Sequence, residues 1–169
     1  MQDHRPTIPP PRKEPHVPPL LVPSPDLFTP LVGARARLAG KRVLVVEDDA
    51  DSRELICALL KMEGADVLCT ESVAEAMEGV YHSFDPDLVL TDYAMPDVDG
   101  LDLIREFRKA PSTRLFAVPV LVLSGHSEEH WRARALEAGA LDLLIKPFDP
   151  VALVARIAAA VAPGQQSDV

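Results

Sequence analysis

Residues 43–55 read VLVVEDDADSREL, and this stretch decides the fold. Val43 to Val46 is an apolar run rich in β-branched side chains. It is too short for a helix of its own and suits a strand. No polar residue alternates within it, so the strand is expected to be covered on both faces, as in a parallel sheet. The run stops at Glu47, Asp48 and Asp49. Leu55, Ile56, Leu59 and Leu60 then recur at helical spacing.

The same alternation repeats down the chain. Further short apolar runs lie at Asp66–Cys69, Leu88–Leu90, Val118–Leu123 and Leu141–Ile145. Helix-period segments separate them. Ser72 with Glu75 reads as a capping box ahead of Ala76, Met77 and Val80. Leu101, Ile104 and Phe107 follow the turn-forming Asp99-Gly100. Ser127 precedes Trp131, Ala135 and Leu136, with Gly139 as a C-terminal stop. Asp149-Pro150 opens the last helix, which carries Leu153, Val154, Ile157 and Val161.

Five strands, each followed by a helix, predict an α/β fold: a doubly wound (βα)5 sandwich around a parallel five-stranded sheet. Right-handed crossovers place helices on both faces. The expected strand order is 2-1-3-4-5, and ligands on such a sheet bind beyond the carboxyl ends of the strands, at the switch point between strands 1 and 3.

That rim carries chemistry. Glu47, Asp48 and Asp49 follow the first strand, Thr91 and Asp92 the third, Ser124 the fourth and Lys146 the fifth. Strand 2 ends at Thr70 and adds nothing distinctive. Any one of these residues alone is an ordinary loop residue; acid, acid, hydroxyl and ammonium at four strand ends in register are not. Two carboxylates about 6 Å apart repel by roughly 3 kcal/mol at an effective dielectric near 20. Lys146 offsets part of this. Oxygen ligands with open positions suit Mg²⁺ or Mn²⁺ for the rest. A carboxylate beside such a cation, a lysine and a hydroxyl is equipped for phosphoryl transfer.

Composition sets the surroundings. The chain has 169 residues, 47% of them hydrophobic, and a net charge of −9, which disfavours direct nucleic-acid binding. Ten of the 17 prolines precede Lys41. Residues 1–40 are therefore expected to be a Pro-rich, mostly disordered extension, residues 41–162 the globular domain, and residues 163–169 a short polar tail. Leu31–Leu38 is read as a turn of helix leading into the fold. Cys57 and Cys69 sit in apolar segments without metal-ligand spacing and are expected to be reduced core residues. No apolar run reaches the length of a membrane span and the N-terminus does not resemble a signal peptide, so a cytoplasmic location is expected.

The chain resembles the response regulator receiver family, whose fold is flavodoxin-like. The resemblance covers about residues 41–162 and rests on VLVVEDDADSREL (43–55), PDLVLTDYAMPDVDGLDLI (86–104), VPVLVLSGHS (118–127) and GALDLLIKPFDPVAL (139–153). It implies that Asp92 is the phosphoacceptor. Glu47, Asp48, Asp92 and the Ala94 carbonyl would bind the metal. Ser124 would be the switch hydroxyl and Lys146 the phosphoryl-binding lysine, followed by a cis bond to Pro147. It also implies a histidine kinase or phosphotransfer protein as partner, no enzymatic role beyond promoting its own phosphotransfer and dephosphorylation, and a weak homodimer through strand 5 and the last two helices, with Asp142 and Arg156 pairing across subunits. Leu143 departs from the pattern, which often has Tyr or Phe there.

Competing readings are weaker. A haloacid-dehalogenase-like phosphatase uses similar residues, but its nucleophile follows strand 1 and its acidic pair comes last; here the order is reversed. A degenerate receiver serving only as a docking module conflicts with the presence of Asp92, Ser124 and Lys146 together. A flavodoxin would need a hydroxyl- and glycine-rich first loop, not an acidic one. His126 and His130 lie four apart but lack the Glu and third ligand of a zinc site. Asp97, Asp99 and Gly100 fall short of a calcium loop. Trp131 reads as a half-exposed helix anchor.

Overall fold

A computed structural model describes residues 36–162, except Asp97 and Glu128. The expectations for residues 1–35 and 163–169 lie outside the described residues, as does Asp97 of the calcium loop that was set aside. Residues 37–40 form a turn, not a helix.

The elements alternate as expected. In order they are β1 (Arg42–Val46), α1 (Ala50–Met62), β2 (Asp66–Thr70), α2 (Val73–Tyr81), β3 (Leu88–Asp92), α3 (Gly100–Lys109), α4 (Thr113–Ala117), β4 (Val120–Ser124), α5 (Glu129–Ala138), β5 (Asp142–Ile145) and α6 (Pro150–Ala160). All strand pairs are parallel and the order is β2-β1-β3-β4-β5. The short α4 was not expected. Its five residues span little more than a turn, too few to register a hydrophobic period, and Ser112 makes no side-chain cap.

Caps set the helix starts. Asp49, Ser72, Asp99 and Asp149 each accept a hydrogen bond from the backbone N–H three residues on. The Asp49 carboxyl is held below the usual carboxylate range by its bonds from Ser52. Glu75 reaches back to the Glu71 N–H, one residue earlier than a standard capping box.

Successive strand residues point to opposite faces and build two cores. Leu44, Val46, Val89, Val120 and Val122 meet Leu101, Ile104 and Phe107 of α3 and Ala135 of α5. Val43, Val45, Leu88, Leu90, Leu121 and Leu123 meet Ile56 and Leu60 of α1 and Leu153, Val154 and Ile157 of α6. The second core extends upstream of β1. Leu38 is fully buried, and its N–H donates to the Glu63 carbonyl. Gly139 takes φ +102°, the left-handed helix end foreseen for it. Arg108 fills the space beside that glycine and donates to the carbonyls of Phe116, Val118 and Gly139, tying α3 to the strands that follow.

The expectation of two reduced cysteines is overturned. Cys57 on α1 and Cys69 on β2 form a disulfide, with Cα atoms 6.5 Å apart. Composition and spacing argued for isolated core residues. The packing of α1 on the edge strand brings the two sulfurs together.

Candidate functional site

The carboxyl ends of β1, β3, β4 and β5 converge. Glu47 follows β1, Asp92 and Ser124 are the last residues of β3 and β4, and Lys146 follows β5. Glu47, Asp92 and Ser124 are buried, whereas Asp48 is exposed. Lys146 Nζ lies 2.7 Å from Glu47 Oε2 and 3.1 Å from Asp92 Oδ1. Its backbone N–H donates to the Ser124 carbonyl, and the Lys146–Pro147 bond is cis.

Glu47, Asp48 and Asp92 each bring a carboxylate oxygen within 4.8 Å of the other two. Three acids face one ammonium, so the site holds an excess of negative charge. The protonation tendencies follow. Burial raises the pKa of Glu47; the Lys146 hydrogen bond opposes this and the Asp92 and Asp48 charges add to it. Burial also raises the pKa of Asp92, again against the pull of Lys146. Burial disfavours the Lys146 ammonium, but its bonds to Glu47 and Asp92 outweigh that and raise its pKa. Glu47 Oε1 is buried without a hydrogen-bond partner among the described residues. An orphaned acceptor among crowded carboxylates fits a hard divalent cation, whose coordination would satisfy it.

Neighbouring residues hold this rim. The Glu47 N–H donates to the Thr70 carbonyl at 3.1 Å, and Thr70 Oγ1 donates to the Val45 carbonyl. Arg53 Nη1 donates to the carbonyls of Glu47 (2.7 Å) and Asp48 (3.1 Å), and its other nitrogen pairs with Glu71. Neither Thr70 nor Arg53 stood out in the sequence, because both act through backbone carbonyls that no motif records. Gly100 is required by close approach: a Cβ there would sit 2.1 Å from the Asp92 carbonyl oxygen. Ala94 lies in the exposed β3–α3 loop, two residues past Asp92.

On the Ser124 side, Ser124 Oγ accepts from the His126 N–H. The His126 ring stacks on Trp131 at 4.8 Å, His130 packs on Trp131 at 4.7 Å, and Tyr93 meets it edge-on at 4.9 Å. Both histidines thus serve the half-buried Trp131, as expected for a helix anchor. Leu143 is buried in the first core. Asp142, expected to pair across subunits, already pairs within its own chain with Arg132 and Arg156.

Residues 43–158 match the response regulator receiver domain. The chain belongs to that family. The receiver is 39% identical over 119 residues to the phosphate regulon transcriptional regulatory protein PhoB of Escherichia coli, which covers 70% of this chain and 51% of that protein. The chain spans about half the length of the curated relatives it matches first. Among solved structures, a response regulator from Chloroflexus aurantiacus shares 31% identity at a TM-score of 0.66, covering 72% of this chain and 97% of that one. The signal receiver domain of a histidine kinase from Syntrophus aciditrophicus shares 27% identity at a TM-score of 0.66, covering 76% and 95% respectively. The receiver therefore has the flavodoxin-like architecture of a two-component response regulator. No helix among its described residues is long and apolar enough to cross a membrane.

Proposed function

We propose that this receiver accepts a phosphoryl group on Asp92 from a phosphohistidine of a histidine kinase or phosphotransfer protein, in the cytoplasm. The observation that carries the reading is Lys146 bridging Glu47 and Asp92 within a cluster of three carboxylates. An Asp92 carboxylate oxygen attacks phosphorus. The P–N bond breaks, and the histidine leaves with its nitrogen lone pair. Glu47, Asp48, Asp92 and the Ala94 carbonyl would hold Mg²⁺ or Mn²⁺. When bound, that cation neutralises charge on the transferring group and organises the attack. Lys146 turns toward the phosphoryl oxygens. Ser124 Oγ, now accepting from His126, donates its own proton to the phosphoryl group, and this repositions the loop leading to Trp131. Water attack on phospho-Asp92 would reverse the modification.

Labelling tests the reading. The protein is incubated with acetyl phosphate, with and without Mg²⁺, and the label is mapped. Label confined to Asp92 and abolished by chelation is expected; label that survives Asp92→Asn with a chelator present refutes it.

The output is proposed to be a change of the surface formed by α5, β5 and α6, with weak, salt-sensitive self-association. Because Asp142 is paired within the chain, association would have to exchange an existing ion pair for one across subunits. Sedimentation with and without beryllofluoride tests it, and a monomer at high concentration in both states would turn the search toward a docking partner.

A further inference from the structure

The disulfide lies beside the acidic rim, with Cys57 buried and Cys69 half-buried. Cys57 and Cys69 line a surface cleft of about 450 Å³ together with Arg53, Glu54 and Lys61. Arg53, Cys57 and Lys61 are spaced by four on α1 and so share one face. Two cations therefore share the helix face of Cys57, which is itself buried, and the cleft gives a small oxidant or reductant access through the half-buried Cys69. Neighbouring cations favour the thiolate that enters and leaves in disulfide exchange, opposed by Glu54 and by Glu71, which pairs with Arg53.

Each end of the bond adjoins an anchor of the Glu47–Asp48 loop. One turn before Cys57, Arg53 binds the Glu47 and Asp48 carbonyls. Immediately after Cys69, Thr70 accepts from the Glu47 N–H. The bond thus ties together the two elements, α1 and β2, that position the cation-binding acids. Disulfides that form in reducing compartments are usually transient and serve catalysis or redox sensing.

We propose that Cys57 and Cys69 form a reversible thiol–disulfide modification site that tunes divalent-cation affinity at the acidic rim. For oxidation by a peroxide, one thiolate attacks a peroxide oxygen and the O–O bond breaks. The resulting sulfenic acid is attacked by the second thiol and releases water. In sum, two thiols and one hydrogen peroxide give one disulfide and two waters. A dithiol reverses this: one of its thiolates attacks a sulfur, its second thiol resolves the mixed disulfide, and both cysteines regain their protons. The reduced state frees α1 to shift against β2, relaxing Arg53 and Thr70 together. The chemistry of the cysteines stands alone; its coupling to signalling rests on the phosphoacceptor reading.

The full chain is prepared with dithiothreitol and then exposed to hydrogen peroxide, and intact mass and peptide mapping follow the cysteines. Mg²⁺ is titrated against both forms using the emission of Trp131, the single tryptophan. A reversible 57–69 cross-link is expected, with Mg²⁺ affinity differing by about fivefold or more between forms. The difference should vanish in C57S/C69S. Comparing the two forms of the unaltered protein keeps the test valid should that variant fold poorly. Thiols that remain free or oxidise without cross-linking overturn the site. Equal Mg²⁺ affinity in both forms overturns the coupling. Acetyl phosphate labelling of the reduced form, run in parallel, judges the phosphoacceptor reading separately.

Discussion

Lys146 Nζ holds Glu47 Oε2 at 2.7 Å across 99 residues of sequence. This contact joins the last strand to the first and places an ammonium, the only one at the acidic cluster among the described residues, between two buried carboxylates. The Lys146 pKa is raised in the folded chain, so its contribution to stability is full below the unfolded value and is lost only as pH rises through the folded one. At neutral pH, Lys146→Met should therefore cost about 1–3 kcal/mol by leaving two acids without their donor. Urea unfolding at pH 7 measures the loss, which should shrink as pH falls and the acids protonate.

Glu47 and Asp92 work in the opposite sense to most acids. Their folded pKa values are raised, mainly by burial. Their contribution is greatest below the unfolded values and is lost as pH rises through the folded ones. Asp92→Asn should therefore raise the melting temperature of the metal-free protein at pH 7, and the gain should fade as pH drops toward the ordinary carboxylate range. Asp49 and Glu63 have lowered pKa values and run the other way, stabilising above their unfolded values and losing that contribution as pH falls. Comparing variant with parent at each pH cancels them. Melting curves from pH 4 to pH 8 decide the matter, and a variant less stable at pH 7 would contradict it.

Asp48 is exposed and close to the buried pair. Asp48→Asn should leave the metal-free protein no less stable, because it relieves repulsion. It should nevertheless bind Mg²⁺ more weakly, by tenfold or more if about 1.4 kcal/mol of attraction is lost. Titration followed by Trp131 emission reads this, and unchanged affinity would place the cation elsewhere.

Gly100→Ala should be damaging despite its single added methyl group. The Cβ would meet the Asp92 carbonyl at 2.1 Å, and backbone atoms cannot step aside as a side chain can. A cost of about 1–3 kcal/mol is expected from overpacking, with slower labelling of Asp92 as its backbone shifts. Denaturant midpoints and acetyl phosphate labelling rates check both.

Leu38 makes the N-terminal boundary testable. Removing residues 1–35 should preserve folding, whereas removing residues 1–40 deletes a fully buried leucine. Leu38→Ala alone should cost about 2–5 kcal/mol. Melting points should fall from the 1–35 truncation to Leu38→Ala to the 1–40 truncation, and equal melting points for both truncations would place Leu38 outside the cooperative core.

Much of this molecule was legible in its sequence. Val43–Val46, Leu88–Leu90 and Val118–Leu123 are apolar without alternation because strands in the middle of a parallel sheet are covered on both faces. Once strands and helices alternate, parallel topology sends every strand's carboxyl end to one rim. Glu47, Asp92, Ser124 and Lys146 could therefore be assembled from order alone. Ser72, Asp99 and Asp149 were readable as helix starts because capping is local, spanning three residues, whereas Asp49 was hidden in an acidic run.

Tertiary structure decided what depends on distances between elements. Cys57 and Cys69 lie twelve residues apart, and nothing in their flanking sequence requires them to meet; only the seating of α1 on β2 joins them. Arg53, Thr70 and Arg108 act on backbone carbonyls, and those acceptors exist in every residue and leave no motif. Whether Asp142 faces its own arginines or a neighbour's is likewise a matter of side-chain reach, not of periodicity. Sequence patterns encode local conformation and the face each residue presents, whereas contacts that need two packed elements are set only when the core closes.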